Sequence, residues 1–199
     1  MQKQLVNDLE DVFVIRGFLT PAECEQYIAR SEAAGYGDAP INTFGGQVVN
    51  KEMRDSDRVM IDDPALAAQL WDRLRPFVPA KRGTGWHALG LNERIRFYRY
   101  DVGQRFDWHF DGHYERSPTE QSAYTFMVYL NAGFGGGATE FNFRLLGGLT
   151  DADPLVRVVP EAGMALVFFH RILHQGAPVT GGRKYVLRSD VMYRWAGGE

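Results

Sequence analysis

Two stretches near the N-terminus carry apolar residues at helical spacing, and from about Trp86 the pattern changes to alternation that runs almost to the end of the chain. The first helical stretch opens on Thr20-Pro21-Ala22-Glu23, with Thr20 as N-cap, Pro21 in the first helical position and Glu23 closing a capping box. Cys24, Tyr27, Ile28 and Ala34 then fall near one face, and Gly35 supplies a stop. After a loop containing Gly and Asn, Asp63-Pro64 starts a second helix that buries Leu66, Leu70, Trp71 and Leu74 before Pro76 and Pro79 end it. Residues 1–85 are therefore expected to form a helical support region without chemistry of its own.

In the alternating part, Arg94 to Tyr100, Ala123 to Leu130, Ala138 to Phe143, Ala165 to Phe169 and Tyr185 to Tyr193 predict strands. Turns rich in Gly separate them, at Gly133 to Gly137, Gly147-Gly148 and Gly181-Gly182. Runs of this kind predict a double-sheet jelly roll over 86–199, buttressed by the N-terminal helices. The expected class is α+β, mainly β, with 1–199 as a single domain.

Composition narrows the function classes. A formal net charge of −3 gives no electrostatic reason to expect nucleic acid or an anionic membrane as partner. One cysteine, Cys24, excludes both an internal disulfide and a zinc site built on several thiolates; it is expected as a small buried hydrophobe. The first ten residues lack the apolar run of a signal peptide, and no stretch approaches the ~18 apolar residues of a membrane span. The expectation is a cytoplasmic protein.

The sharpest chemistry lies in Phe106-Asp107-Trp108-His109-Phe110-Asp111. Residues two apart on a strand share a face, so His109 and Asp111 can reach one metal, and His174 is the candidate third ligand. Two imidazoles and one carboxylate on one side of an ion leave the opposite positions open, which suits Fe(II) better than zinc or copper. An H-x-D pair alone fits equally well a hydrogen-bonded histidine beside a turn-forming aspartate. His170, four residues before His174 and at the end of the apolar run Met164 to Phe169, is a rival third ligand.

Two features favour the metal. Lys184 stands ten residues beyond His174, and strand parity puts Lys184, Val186, Arg188 and Asp190 on the cavity side, opposite Tyr185, Leu187, Val191 and Tyr193. A cation buried at the far end of an iron pocket suits the distal carboxylate of 2-oxoglutarate. Thr125, Met127 and Tyr129 share a face, so the Tyr129 hydroxyl can serve the same carboxylate or simply lie in the core.

With these residues in place, the chain resembles the prolyl 4-hydroxylase-like family of iron(II)/2-oxoglutarate-dependent dioxygenases. The matching segments are Tyr100 to Phe106, His109-Phe110-Asp111, Tyr129-Leu130-Asn131, Gly136 to Phe141, Pro160 to Phe168, and His174 through Lys184, all in the family's order. The resemblance implies a distorted double-stranded β-helix binding Fe(II) through His109, Asp111 and His174. It implies Lys184 as the grip on 2-oxoglutarate, Tyr129 as a supporting hydroxyl, and Tyr100 and Thr139 as pocket-lining residues. Some relatives carry the basic residue one step earlier, which selects Arg183; strand polarity favours Lys184. Arg188 serves either 2-oxoglutarate or an acidic group of the substrate. The implied reaction consumes O2 and 2-oxoglutarate, releases succinate and CO2, and hydroxylates an unactivated C–H bond, with ascorbate as an accessory reductant.

The substrate is less legible. Asn92, Arg94, Arg96 and Tyr98 alternate on one strand face and would suit an amino acid, a peptide residue or another small polar, carboxylate-bearing molecule, unless the arginines pair with nearby acids instead. His113 stands at the expected pocket rim, where both substrate contact and a solvated loop histidine fit; His87 has no visible partner. The loops Gly45 to Asp57 and Gly112 to Gln121 are expected lids. The rival reading is a non-catalytic jelly-roll metal-binding protein, or a regulator responsive to 2-oxoglutarate or O2.

Overall fold

The computed structural model describes residues 1–6, 8–43, 45–143 and 155–197. Two antiparallel sheets make up most of it. The larger runs, strand by strand, Gln2–Val6, Leu9–Arg16, Ala165–Phe169, Glu120–Tyr129, Lys184–Trp195, Arg94–Tyr100, Asp57–Asp62 and Gly37–Asp38. The smaller runs Val156–Val158, Thr139–Asn142, Leu173–Gly176, Arg105–His109 and Arg54–Asp55. The period-2 alternation assigns each face of the larger sheet to its own core. Val12, Val14, Tyr98, Tyr100, Tyr129, Leu166, Phe168 and Val186 pack with Phe141, Val158 and Ile172 in the space between the sheets. Their strand neighbours Phe13, Ile15, Phe97, Phe126, Val128, Val167 and Leu187 face the other way and meet the helices.

Helix α1 (Pro21–Ala34) starts where its cap residues predict: Glu23 N–H donates to Thr20 Oγ1, and the Glu23 carboxylate accepts from Thr20 N–H. Helix α2 (Pro64–Leu74) is capped by Asp63, which accepts from Leu66 N–H, and buries Leu66, Leu70 and Leu74 against the sheet. Neither helix, nor any other among the described residues, is long and apolar enough to cross a membrane.

One expectation is corrected. Residues 1–85 are not a helical region, because they also supply strands to both sheets: Gln2–Val6, Leu9–Arg16 and Asp57–Asp62 to the larger one and Arg54–Asp55 to the smaller. Gln2–Val6 is an exposed outer strand with little apolar pattern to reveal it, and Asp57–Asp62 carries charge at both ends. The segment Gly45 to Asp57, expected as a loop, likewise contains Gly46–Val48, which pairs with Ile41–Thr43 in a short hairpin, as well as Arg54–Asp55. The expected turn at Gly147-Gly148 lies outside the described residues.

A tight contact ties the chain entering α1 to the turn before Ala165–Phe169. Leu19 N–H donates to the Gly163 carbonyl at 3.0 Å, and Gly163 N–H donates to the Tyr129 carbonyl at 2.8 Å. Gly163 sits at φ +75°, and a Cβ there would drive into the Leu19 carbonyl oxygen. Gly163→Ala combines a left-handed backbone with a collision against main chain, so it is expected to cost about 2–4 kcal/mol, read as a shifted urea midpoint at unchanged slope.

Candidate metal centre

His109 ends the strand Arg105–His109, and His174 lies directly opposite it on Leu173–Gly176. Asp111 follows two residues past His109, held by its own N–H donating to the His170 carbonyl at 3.0 Å. The ligand atoms of the three side chains all lie within 4.8 Å of one another. His109 Nε2 is 3.6 Å from Asp111 Oδ1, and His174 Nε2 is 3.6 Å from Asp111 Oδ2.

The other ring nitrogens are already used. His109 Nδ1 donates to the Asp107 carbonyl at 2.6 Å, and His174 Nδ1 to the Ile172 carbonyl at 2.9 Å. Each bond fixes the tautomer that leaves Nε2 as a lone pair, and both lone pairs are turned toward Asp111. Aromatic rings hold the imidazoles in place: Phe106 stacks on His109 at 3.5 Å between centroids, and Phe168 meets His174 edge-on at 4.5 Å. Burial pushes the His174 pKa down to about 3 against the pull of Asp111, so this imidazole is neutral. Burial by itself would raise the Asp111 carboxyl; the Arg188 guanidinium and the two imidazoles override it and hold the group well below the ordinary range. Thr125 Oγ1 donates to Asp111 Oδ2 at 2.5 Å, and Arg188 Nη2 lies 2.9 Å from the same oxygen. Two imidazoles with fixed tautomers and an oriented carboxylate, on one side of a shared point, fit a divalent ion of the Fe(II) type.

The cavity beside the three residues is lined by Tyr100, Thr139, Val186 and Lys184 among others. Lys184 is buried, 3% exposed, and donates to the Gly137 carbonyl at 2.6 Å. Its Nζ lies 5.2 Å from the Tyr100 ring and 5.4 Å from the Tyr129 ring, and it has no carboxylate partner among the described residues. Burial lowers its pKa to about 7. Tyr129 is fully buried, and its hydroxyl shares a 2.7 Å hydrogen bond with Thr139 Oγ1. Arg183 points outward and is paired with Asp101 at 2.5 Å.

The remaining sequence candidates separate. His170 is buried, but its imidazole faces Asp190 at 3.7 Å and is not in the three-residue cluster. Arg188 directs its charge to Asp111 rather than to an open ligand position. Arg94 is exposed, bonded to Asp62 at 2.9 Å, and lines a neighbouring cleft rather than the metal cavity. Arg96 is bound to Asp190 at 2.8 Å and lines the outer cleft together with Tyr98 and the exposed His113. The pairing alternative therefore describes Arg94, and in part Arg96. His87 lies on the strand Trp86–Leu91, opposite Arg194.

Two residues of the site had no sequence signal. Arg54 and Arg58 come from the segment read as loop, yet both line the outer cleft, and Arg54 also lines the inner cavity. Burial raises the Tyr98 phenol, but the surrounding guanidiniums, Arg54 foremost, then Arg188, Arg96 and Arg58, bring it down to about 8. Only the fold brings these charges to one ring.

Residues 95–189 match the 2OG-Fe(II) oxygenase superfamily, a span that contains all three candidate ligands and Lys184. A curated relative, probable prolyl 4-hydroxylase 4 of Arabidopsis thaliana, is 28% identical over 87% of this chain. The chain spans 64% of that relative's length. The structure is similar to a prolyl hydroxylase from Trichoplax adhaerens solved with a hypoxia inducible factor peptide fragment (TM-score 0.69, 16% identity, 92% of this chain and 84% of that one). It is also similar to the viral collagen prolyl hydroxylase of Paramecium Bursaria Chlorella virus-1 in its 2OG complex (TM-score 0.57, 20% identity, 92% and 96%). Metal-ligand geometry, sheet order and these likenesses agree: over residues 95–189 the chain is similar to the 2OG-Fe(II) oxygenase superfamily, and they support a prolyl 4-hydroxylase-like 2OG-Fe(II) oxygenase.

Proposed function

We propose that this chain is an Fe(II)- and 2-oxoglutarate-dependent dioxygenase that hydroxylates an unactivated C–H bond, on a peptidyl residue with proline foremost or on a small polar molecule. The observation that carries this reading is Lys184, a buried amine with no carboxylate partner among the described residues, in the cavity that also holds His109, Asp111 and His174. A purely structural metal has no use for such a charge, which is costly to bury unpaired.

In this reading His109, Asp111 and His174 hold the iron, while Lys184 binds the distal carboxylate of 2-oxoglutarate. Tyr129 and Thr139 support that end, and Tyr100 closes it. Iron with 2-oxoglutarate supplies the oxidising chemistry, coupling decarboxylation to succinate and CO2 with transfer of one oxygen atom of O2 into a C–H bond. Thr125 and Arg188 fix the free rotation of Asp111, so the ligand set is oriented before metal arrives. Met127, Phe168 and Val186 line the same cavity and keep water from it. The peptide fragment bound by the Trichoplax prolyl hydroxylase supports a peptide as one substrate class.

Anaerobic addition of Fe(II) and 2-oxoglutarate to the purified protein is expected to give a weak visible charge-transfer band. Admitting O2, with ascorbate present, is expected to release succinate. Fully metallated protein that shows neither signal would refute the proposal.

A further inference from the structure

The outer cleft holds four guanidiniums, from Arg54, Arg58, Arg96 and Arg188, and two carboxylates, from Asp111 and Asp190. Arg188 and Arg96 account for both carboxylates, at 2.9 and 2.8 Å. Arg54 and Arg58 have no ion pair among the described residues. Other acids along their segment are also engaged: Asp38 with Lys51 at 3.1 Å, Asp57 with Arg99 at 2.7 Å, and Asp62 with Arg94 at 2.9 Å. Asp55 accepts from the Gln104 amide at 3.3 Å.

Arg54 is built into the site rather than draped over it. It is 7% exposed, lies opposite Phe106 in the smaller sheet, and has its guanidinium 4.0 Å from the Phe106 ring and 4.6 Å from the Tyr98 ring. Its Nε is buried without a hydrogen-bond partner. Arg58 lies opposite Tyr98 on the larger sheet, so the two arginines approach one tyrosine from different sheets. The phenol of Tyr98, drawn down to about 8 despite complete burial, registers the resulting positive field. A buried charged donor without an acceptor is destabilising unless a ligand meets it.

We propose that the substrate presents a carboxylate to Arg54 and Arg58 at the mouth of the metal cavity, and that this anion orients the C–H bond to be oxidised. The inference rests on the dioxygenase reading, because it assigns the distal carboxylate of 2-oxoglutarate to Lys184 and leaves this pair for the substrate. A planar oxyanion suits the guanidinium fork, and Arg54, lining both the outer cleft and the inner cavity, stands at the neck between them.

The test uses the full chain loaded with Mn(II) and 2-oxoglutarate, which blocks turnover, and two pairs of probes that differ only in acid against amide. One pair is N-acetyl-aspartate and N-acetyl-asparagine; the other is an end-blocked Gly-Asp-Pro-Gly peptide and its Gly-Asn-Pro-Gly counterpart. In calorimetry the acid of at least one pair is expected to bind about tenfold or more tightly than its amide. That preference should vanish in Arg58→Gln and weaken in Arg54→Lys, which keeps the charge but loses the fork. The pair that discriminates tells a small free acid from an acidic peptide. No acid preference in either pair, absence of binding included, or a preference that survives both substitutions, overturns the proposal. Affinity for 2-oxoglutarate, measured alongside, should change less than about twofold in Arg58→Gln, since Arg58 does not line the inner cavity that holds Lys184. If wild-type protein fails to bind 2-oxoglutarate, the dioxygenase reading falls, whichever way the acid and amide compare.

Discussion

His174→Ala is expected to lower Fe(II) affinity by well over 100-fold and to remove both the charge-transfer band and succinate release. The magnitude follows from position: loss of an outer-shell partner alone costs metal sites about 10–100-fold, and His174 is proposed as a ligand itself. It directs a neutral Nε2 to within 3.6 Å of Asp111 from the strand facing His109. His170→Ala is the matched control. That imidazole is equally buried but faces Asp190, so the band should persist; the reverse pair of outcomes would make His170 the third ligand. Metal titration followed by visible absorbance separates the two, with circular dichroism showing that each variant is folded.

Lys184→Met carries the second large effect, and it acts in two directions. Removing the proposed partner of a buried carboxylate costs about 2–5 kcal/mol, so the apparent affinity for 2-oxoglutarate should fall by roughly 100-fold or more. Arg183→Ala, next along the chain but exposed and paired with Asp101, should change it by less than about threefold. A larger loss at Arg183 would reverse the assignment.

The same substitution should raise the melting temperature of the unliganded protein. Lys184 has a folded-state pKa near 7, against 10.5 when exposed. Below pH 7 both states are charged and the folded one bears the full burial penalty, on the order of 5 kcal/mol. Between about pH 7 and 10.5 the unfolded chain binds the extra proton, so Lys184 makes stability rise with pH through that window. Methionine keeps the apolar stem and removes the penalty. Binding of 2-oxoglutarate should, for the same reason, take up a proton above pH 7, which calorimetry in buffers of different ionisation heat detects.

Much of this was legible in the sequence, for identifiable reasons. Arg94–Tyr100 and Ala165–Phe169 match their expected bounds because each alternates or runs apolar between clear breaks. Both helix starts are where Thr20-Pro21 and Asp63-Pro64 put them, since capping is local chemistry. The cavity face Lys184, Val186 and Arg188 followed from parity alone. Gln2–Val6 escaped because an outer strand wetted on both faces has no alternation to read. Arg54 and Arg58 escaped for a different reason. Their meaning lies in what they lack among the described residues, a carboxylate partner, and that is decided by residues brought together from Asp38 to Asp190.

Lys184, Val186 and Arg188 occupy successive inward positions on one strand, with Arg188 touching the carboxylate of the metal site. Inward positions on a strand recur only every ~6.6 Å, so the separation between the proposed anchor and the metal carboxylate is graduated in coarse steps. Sliding the lysine by one residue would turn it to the opposite face, as Arg183 shows. Selection for a co-substrate of different length therefore cannot proceed by small displacements of the anchor. It has to work through the length of the side chain at this one graduation, which, with Lys184 as the proposed anchor, would make position 184 a gauge for the size of the oxo-acid.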